Sequence, residues 1–419
     1  MAHNMIDKES LIPIAKPWLG EEEAAAARRA ILSGWVTQGP EVAAFESEFA
    51  TWVGARYACA VSNGTTALHL ALLAAGVKPG DEVITVSHSF IATANSVRYC
   101  EAVPVFVDIE PGTFNMNPAG IERVIGARTR AILCVHQMGM PCNLSEILEI
   151  GSTHKLPVIE DAACAIGSEI RYRDNWEKIG KPHGDIACVS FHPRKIITTG
   201  DGGMITTSNH EWDDQFRLWR HQGVRAAGIE RHGAKEVIFE SYPAVGYNYR
   251  MTDIQAAIGR EQLKRLDQIL QRRRALAQRY KELLAEVPGL GLPEEPPWAK
   301  SNWQSYCVML PGSCDQRQVM QAMLYADVST RRGIMCAHRE PAYRDGCWSC
   351  GVGPDRCSCP PGICARLTES EKAQNRAVTL PLFHEMTNEE QEKVADTLIT
   401  ALFGRNSGPV KSTQRTATV

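Results

Sequence analysis

The stretch that decides the fold is Gly184-Asp185-Ile186-Ala187-Cys188-Val189-Ser190-Phe191-His192-Pro193-Arg194-Lys195-Ile196-Ile197-Thr198-Thr199-Gly200-Asp201-Gly202-Gly203-Met204-Ile205-Thr206-Thr207. Residues 186–191 form an apolar run that predicts a short buried strand, and Pro193 stops it. Residues 204–207 predict a second strand. Lys195 and a glycine-rich turn lie between them. Glycines there admit φ > 0 and let other groups come close. An amine at the mouth of such a loop can lose solvent, shed its proton and attack a carbonyl. Taken alone, Lys195 reads more simply as the surface lysine of a hairpin, so its neighbours must decide.

Working outward, residues 157–160 predict a strand that ends in Asp161. Residues 58–61 predict another. It runs into Ser62-Asn63-Gly64-Thr65-Thr66 and a nearly all-apolar helix over 67–75, closed by Gly76. Free amides and the positive end of the helix dipole face that turn. An anion there gains about 0.3–1 kcal/mol, or up to about 2 when partly buried. The alternative is a well-capped core helix. Further strands over 82–86, 103–107 and 131–135 alternate with helices over 90–99, 118–126 and 144–153. Helices over 21–32 and 42–53 precede them. Short β-rich runs spaced by helices predict an α/β sheet covered on both faces. Ligands in such sheets bind beyond the carboxyl ends of the strands. Asp161 and the 62–66 turn would therefore share one crevice.

In the C-terminal half, Arg250-Met251-Thr252-Asp253 opens a helix that includes 254–258. Leu263, Leu266, Leu270, Ala277, Tyr280 and Leu284 then recur at helical spacing. They predict a bridging helix of about 260–287, with an exit linker over 288–297. Thr387 and Glu390 form a capping box for a last helix striped by Val394, Leu398, Leu402 and Phe403. The expected layout is a flexible tail over 1–10, a large domain over 11–265, a smaller α+β domain over 266–404 and a second tail over 405–419.

Composition narrows the function. The chain has 419 residues, 44% apolar and 22% charged, with 45 basic and 48 acidic side chains for a net charge of −3. That balance gives no footprint for nucleic acid and no polybasic membrane patch. The polar, acid-bearing first ten residues do not read as a signal peptide, and no apolar run has the length of a transmembrane helix. A cytoplasmic location is expected, with the 14 cysteines mostly reduced and buried. Five of them, Cys347, Cys350, Cys357, Cys359 and Cys364, crowd a Gly/Pro-rich insertion over 345–365. Such a group can bind zinc, pair or simply form a loop. The spacing matches no zinc module, and no metal is assigned.

A loop lysine, an anion-binding helix start, a carboxylate at a strand end and the aromatic Phe90 are what a pyridoxal phosphate site requires. The aldehyde needs an amine, the phosphate needs backbone N–H groups, and the ring nitrogen needs a carboxylate. The ring face needs a stacking partner.

Here the chain resembles the DegT/DnrJ/EryC1/StrS sugar aminotransferases over about residues 11–404. The resemblance rests on Ser33-Gly34-Trp35-Val36-Thr37-Gln38-Gly39-Pro40, Ser62-Asn63-Gly64-Thr65-Thr66-Ala67-Leu68-His69, Gly80-Asp81-Glu82-Val83-Ile84, Pro104-Val105-Phe106-Val107-Asp108, Ile159-Glu160-Asp161-Ala162-Ala163, Ser190-Phe191-His192-Pro193-Arg194-Lys195 and Gly246-Tyr247-Asn248-Tyr249-Arg250-Met251. It implies the type I aminotransferase fold: an α/β large domain with a mostly parallel seven-stranded sheet flanked by helices, and a smaller C-terminal α+β domain.

The resemblance also implies roles. Lys195 would carry pyridoxal 5'-phosphate as an internal aldimine and shuttle protons, and Asp161 would hold the ring nitrogen. Phe90 would stack on the ring. Gly64, Thr65, Thr66 and Ser190 would hold the phosphate. Asn248 would reach the cofactor of a neighbouring subunit, which makes a homodimer part of the site. Glutamate would leave pyridoxamine 5'-phosphate, whose amine passes by a ping-pong route to a ketone of a nucleotide-linked sugar. His192, Arg331 and His338 are candidate substrate contacts.

The family usually has His or Gln three residues after the aspartate, where this chain has Cys164. A dehydratase branch replaces the lysine with His, so Lys195 favours transamination. A cyclitol or other keto-sugar aminotransferase, a dehydratase and a non-catalytic pyridoxal phosphate-binding protein remain the alternatives. A Rossmann oxidoreductase is disfavoured, since no Gly-x-Gly-x-x-Gly turn follows the first strands.

Overall fold

The computed structural model describes residues 11–224, 239–344, 346–351 and 360–404. The predicted tails, together with Cys357 and Cys359, lie outside the described residues.

Seven strands form the central sheet: β1 (Tyr57–Val61), β2 (Glu82–Val86), β3 (Val103–Val107), β4 (Thr129–Val135), β5 (Val158–Asp161), β8 (Ile186–Ser190) and β9 (Gly203–Thr207). Their order is β1-β9-β8-β5-β4-β2-β3. β9 runs antiparallel to β1 and β8, and the other neighbours pair in parallel. The predicted mostly parallel seven-stranded sheet of the type I aminotransferase fold is thus present.

Side chains alternate between two cores, as the period of two requires. Ala58 and Ala60 face a core with Phe45 and Phe49, whereas Cys59 and Val61 face one with Leu68, Leu70 and Phe216. Helices α1 (Glu21–Ser33), α2 (Pro40–Val53), α3 (Gly64–Ala74), α4 (Ala92–Tyr99), α5 (Leu144–His154) and α6 (His210–Arg220) belong to this half of the chain.

Helix α7 runs unbroken from Asp253 to Leu284, 32 residues. The opening helix and the bridge that the sequence separated are therefore one element. A capping box between Thr252 and Gln255 starts it. Asp253 does a second task, accepting from the amides of Gly39 (2.7 Å), Glu41 and Val42 at the start of α2. That is why Gly39-Pro40 and Thr252-Asp253 belong to one unit 213 positions apart in sequence — Gly39 has no side chain to cap its own helix. Leu263 and Leu266 pack on the main sheet. Leu276, Tyr280 and Leu284 pack in a separate core with Val308, Val378, Leu380 and Leu398.

That second core surrounds a small antiparallel sheet of β11 (Tyr306–Met309), β12 (Arg331–Arg332) and β13 (Ala377–Leu380). It is covered by α8 (Gln316–Tyr325), α9 (Thr368–Arg376) and α10 (Asn388–Phe403). The Thr387–Glu390 capping box on α10 is present.

Three local readings need correction. The helix expected over 118–126 is two 3-10 turns, Pro118–Gly120 and Glu122–Val124. A stretch with one proline and two glycines cannot offset α-helix nucleation. The helix expected from 90 begins at Ala92, and the one expected from 67 begins at Gly64. The sequence also hid a hairpin, β6 (Glu169–Tyr172) with β7 (Asn175–Lys178), which β10 (Ala299–Lys300) extends. Its turn puts Arg173 and Asp174 at φ 47° and 66° without any glycine to announce it.

In the insertion, Ser349 pairs with β3 through Phe106 N to Ser349 O and Ser349 N to Pro104 O. Cys350 and Cys364 are buried there beside Tyr343, with Cys347 and Trp348 packed against them. Among the described residues no helix is long and apolar enough to cross a membrane.

Candidate active site

β1, β5 and β8 run in one direction, so the segments that follow them emerge at one end of the sheet. Those segments are the start of α3, the Asp161 turn and the Lys195 turn.

The lysine turn is built on Phe191. Its ring packs on Phe45 and Phe49 with centroids 5.3 and 5.8 Å apart. Its backbone takes bonds from Thr199 N and Thr198 Oγ1 and gives one to Gly202 O. Burying such a ring contributes about 1.5–3 kcal/mol. Lys195 stands on this base half-buried, with Nζ 3.0 Å from Cys164 Sγ.

Asp161 ends β5 and is 5% exposed. Oδ2 accepts from Thr93 Oγ1 at 2.7 Å and Oδ1 from the Ala163 amide at 3.2 Å. Burial pushes its carboxyl above the usual range, against the pull of those two bonds and of the Lys195 charge. Thr93 also bonds Ser89 Oγ at 2.8 Å. Sequence reasoning missed Thr93. The only signal was its place three residues after Phe90, on the same turn.

Behind Asp161 lies Glu160, fully buried. Its Oε1 accepts from the amides of His183 and Gly184, both at 2.7 Å, and its Oε2 meets His136 Nε2 at 3.0 Å. The Cys142 amide donates to His136 Nδ1, so Nε2 carries the ring proton toward Glu160. Burial drives this carboxyl up, yet the bonds from His136 and His183 outweigh it and hold it at about 2. The His136 amide in turn donates to Asp161 O. The strand end that presents Asp161 is thereby braced from below.

At the start of α3, Asn63 caps the helix by accepting from Thr66 N at 2.9 Å, and Thr66 Oγ1 donates back to Asn63 O. Among the described residues the amides of Gly64 and Thr65 donate to nothing. A Cβ on Gly64 would lie 2.8 Å from Ser190 Cβ, so the helix start is pressed directly on the end of β8. Ser62 N donates to Tyr249 O at 2.7 Å, which brings the Gly246–Met251 motif to the same place.

The remaining candidates fall as follows. Phe90 is 62% exposed beside Thr93, an open aromatic face. Asn248 is exposed, on a segment paired with His221. His192 is exposed on the lysine turn, its ring accepting from Arg194 N. Arg331 is exposed on β12. His338 is a correction to the substrate set: it is fully buried, with Nδ1 2.6 Å from Ser87 Oγ and Nε2 3.1 Å from Glu371. Both nitrogens are taken up in joining β2 to α9.

These residues fit pyridoxal phosphate. Free amides and hydroxyls at a helix start suit a phosphate. A buried carboxylate whose charge is costly suits a cationic ring nitrogen. Fold and site define a pyridoxal phosphate-dependent aminotransferase of the type I fold.

The comparisons with known proteins agree. Residues 17–399 match the model of the DegT/DnrJ/EryC1/StrS aminotransferase family, and the chain belongs to that family. GDP-perosamine synthase of Caulobacter vibrioides is 44% identical over 277 residues, 66% of this chain and 71% of that protein. The spore coat polysaccharide biosynthesis protein SpsC of Bacillus subtilis is 38% identical over 307 residues, covering 73% and 78%. The crystal structure of the aminotransferase TlmJ from Streptoalloteichus hindustanus superposes with a TM-score of 0.81 at 30% identity, covering 94% of this chain and 99% of that one.

Proposed function

We propose that this protein transfers the amino group of glutamate to a keto group on a nucleotide-linked sugar, in two half-reactions, with pyridoxal phosphate held covalently on Lys195 Nζ. The observation that carries the reading is the meeting of Lys195, Asp161 and the start of α3 at one end of the sheet. Similarity to a GDP-perosamine synthase and to a polysaccharide biosynthesis protein supports a sugar ketone as the acceptor, with a GDP-linked one to be tried first.

When bound, the cofactor supplies an electron sink for charge developing on the substrate carbon. The chain's own groups do the rest. Gly64 and Thr65 amides, with the Thr65 and Ser190 hydroxyls, would take the phosphate, whereas the amide and hydroxyl of Thr66, expected there too, both donate to Asn63 and hold the turn. Asp161 would keep the ring nitrogen protonated, and Thr93 Oγ1 and Ala163 N fix the orientation of that carboxylate. Phe90 covers one ring face. Lys195 Nζ moves the proton at the donor's α-carbon. A second copy of the chain brings Asn248 to its neighbour's phosphate. The exposed Tyr242 and Val245 beside Asn248 give that contact an apolar surround. His192 and Arg331, both exposed, are the candidate contacts for the sugar nucleotide.

The test is purified protein given pyridoxal phosphate and glutamate. Stoichiometric 2-oxoglutarate should form, and the loaded protein should then aminate a GDP-linked keto sugar in preference to the free ketose. Absence of 2-oxoglutarate removes glutamate as the amino donor. Amination of the free ketose or a cyclitol ketone alone removes the nucleotide.

A further inference from the structure

Cys164 is the point where this chain departs from the family pattern, and the structure gives the thiol a specific neighbour. Its Sγ lies 3.0 Å from Lys195 Nζ, on the one amine that the proposed chemistry uses. The loop that presents the thiol is clamped. Asn302, fully buried, donates through Nδ2 to the carbonyls of Cys164 and Ile166, both at 2.8 Å. Its own amide donates to Ser168 Oγ at 3.0 Å, and its Oδ1 accepts from Gln304 N at 2.9 Å. A Cβ on Gly139 would overlap Asn302 Oδ1, so the clamp leaves no slack on that side.

The chain of contacts then closes on the lysine from the other direction. Gln304 Nε2 donates to Arg194 O at 2.9 Å, the carbonyl bonded directly to the Lys195 amide. One short segment, 302–304, therefore fixes both the thiol that meets the Lys195 side chain and the backbone that carries it. A half-buried lysine with four rotatable bonds would otherwise lose rotamer freedom each time it is aimed.

We propose that Cys164 is a positioning residue for Lys195. Its thiol receives the free amine, and Asn302 holds the thiol there, so that Nζ is aimed before the cofactor arrives and whenever the covalent link is open. The inference rests on Lys195 being the covalent anchor.

The test compares wild type, Cys164→Ala and Cys164→Ser as full-length apoprotein. The rate of covalent capture of pyridoxal phosphate is followed by borohydride trapping and mapping of the labelled lysine. Affinity for 4-deoxypyridoxine phosphate, which has the ring and phosphate but no aldehyde, is measured in parallel. Cys164→Ala should slow capture by about 3–10-fold, the worth of one hydrogen bond. Cys164→Ser should restore most of the rate, and the deoxy analogue should bind all three proteins alike. Capture by Cys164→Ala at the wild-type rate overturns the proposal. So does an equal loss of affinity for the deoxy analogue, which would place the thiol on the ring instead. Wild-type protein left unlabelled at Lys195 overturns the cofactor reading itself, and this inference with it.

Discussion

Thr93 Oγ1 donates to Asp161 Oδ2 at 2.7 Å, across 68 positions of sequence. The bond fixes one oxygen of a carboxylate whose other oxygen is fixed by the Ala163 amide. A cofactor ring nitrogen placed there, as proposed, would meet an acid with a set orientation. Thr93→Val keeps the shape and removes the donor. Bonds to charged groups contribute about 1.5–3 kcal/mol, so the glutamate half-reaction should slow by about tenfold or more. Thr93→Ser should stay near wild type. Stopped-flow absorbance of the half-reaction measures both.

Asp161 should show function and stability in opposition. Burial raises its carboxyl, so at neutral pH its charge costs the folded apoprotein stability; that cost fades as pH falls through the raised value. Asp161→Asn can keep both partners, its oxygen accepting from Ala163 N and its amide donating to Thr93 Oγ1. Apoprotein melting should rise or hold while the half-reaction falls by about 100-fold or more, the loss expected when a charge-assisted contact is missing from the transition state. A fall in both would mean that Asp161 is chiefly structural. Calorimetry on apoprotein decides.

Lys195→Ala removes a side chain that carries none of the turn's own closure, since Phe191, Thr198 and Thr199 make those bonds. The melting temperature should move by no more than a few degrees, about 1 kcal/mol. Borohydride should fix no cofactor, although reversible binding persists through the phosphate site. Turnover should drop by about 10²–10⁴-fold for the lost proton carrier alone. Turnover near the parent's would remove Lys195 from the mechanism.

Much of this was legible in the sequence, and the exceptions share a cause. Asp161 ends an apolar run, and Gly64-Thr65-Thr66 and Lys195 follow one within a few residues, so strand ends pointed to them without knowledge of tertiary contacts, though Lys195 stood out only beside the other two. Thr93 and Asn302 act on residues 68 and 138 positions away, and nothing local marks either. His338 sits in a loop that reads as polar and solvated, yet Ser87, Glu371 and Trp348 enclose it. The β6–β7 turn uses Arg173 and Asp174 in the left-handed region, where the turn code would look for glycine.

Gly64→Ala tests the contact between helix start and strand end. The new Cβ would sit 2.8 Å from Ser190 Cβ and 3.4 Å from its Cα. Overpacking of this kind costs about 1–3 kcal/mol, and it moves the amides at the start of α3, the proposed phosphate site, off β8. Melting temperature and pyridoxal phosphate affinity should fall together. Adding Ser190→Gly opens the space, so the double variant should regain stability but less of the affinity, having lost the Ser190 hydroxyl. A double variant no more stable than Gly64→Ala would show that the strain lies elsewhere.

Glu160 supplies a pH-dependent prediction with a definite sign. Its carboxyl is held at about 2 in the fold, against about 4.3 in an unfolded chain. An acid held lower when folded stabilises the fold at every pH above its unfolded value, and that contribution drains away as the pH falls through the window toward 2. A shift of about two units corresponds to about 3 kcal/mol at neutral pH. Glu160→Gln should therefore be less stable than wild type at pH 7. It also leaves one of the His183, Gly184 and His136 donors facing an amide group. On acidification from about pH 5 to pH 3 the wild type should lose stability more steeply than the variant, so the two curves converge. Urea midpoints across that range give both slopes. Parallel curves would show that His136 and His183 do not hold Glu160 as an anion, and the brace beneath Asp161 would then have to come from packing alone.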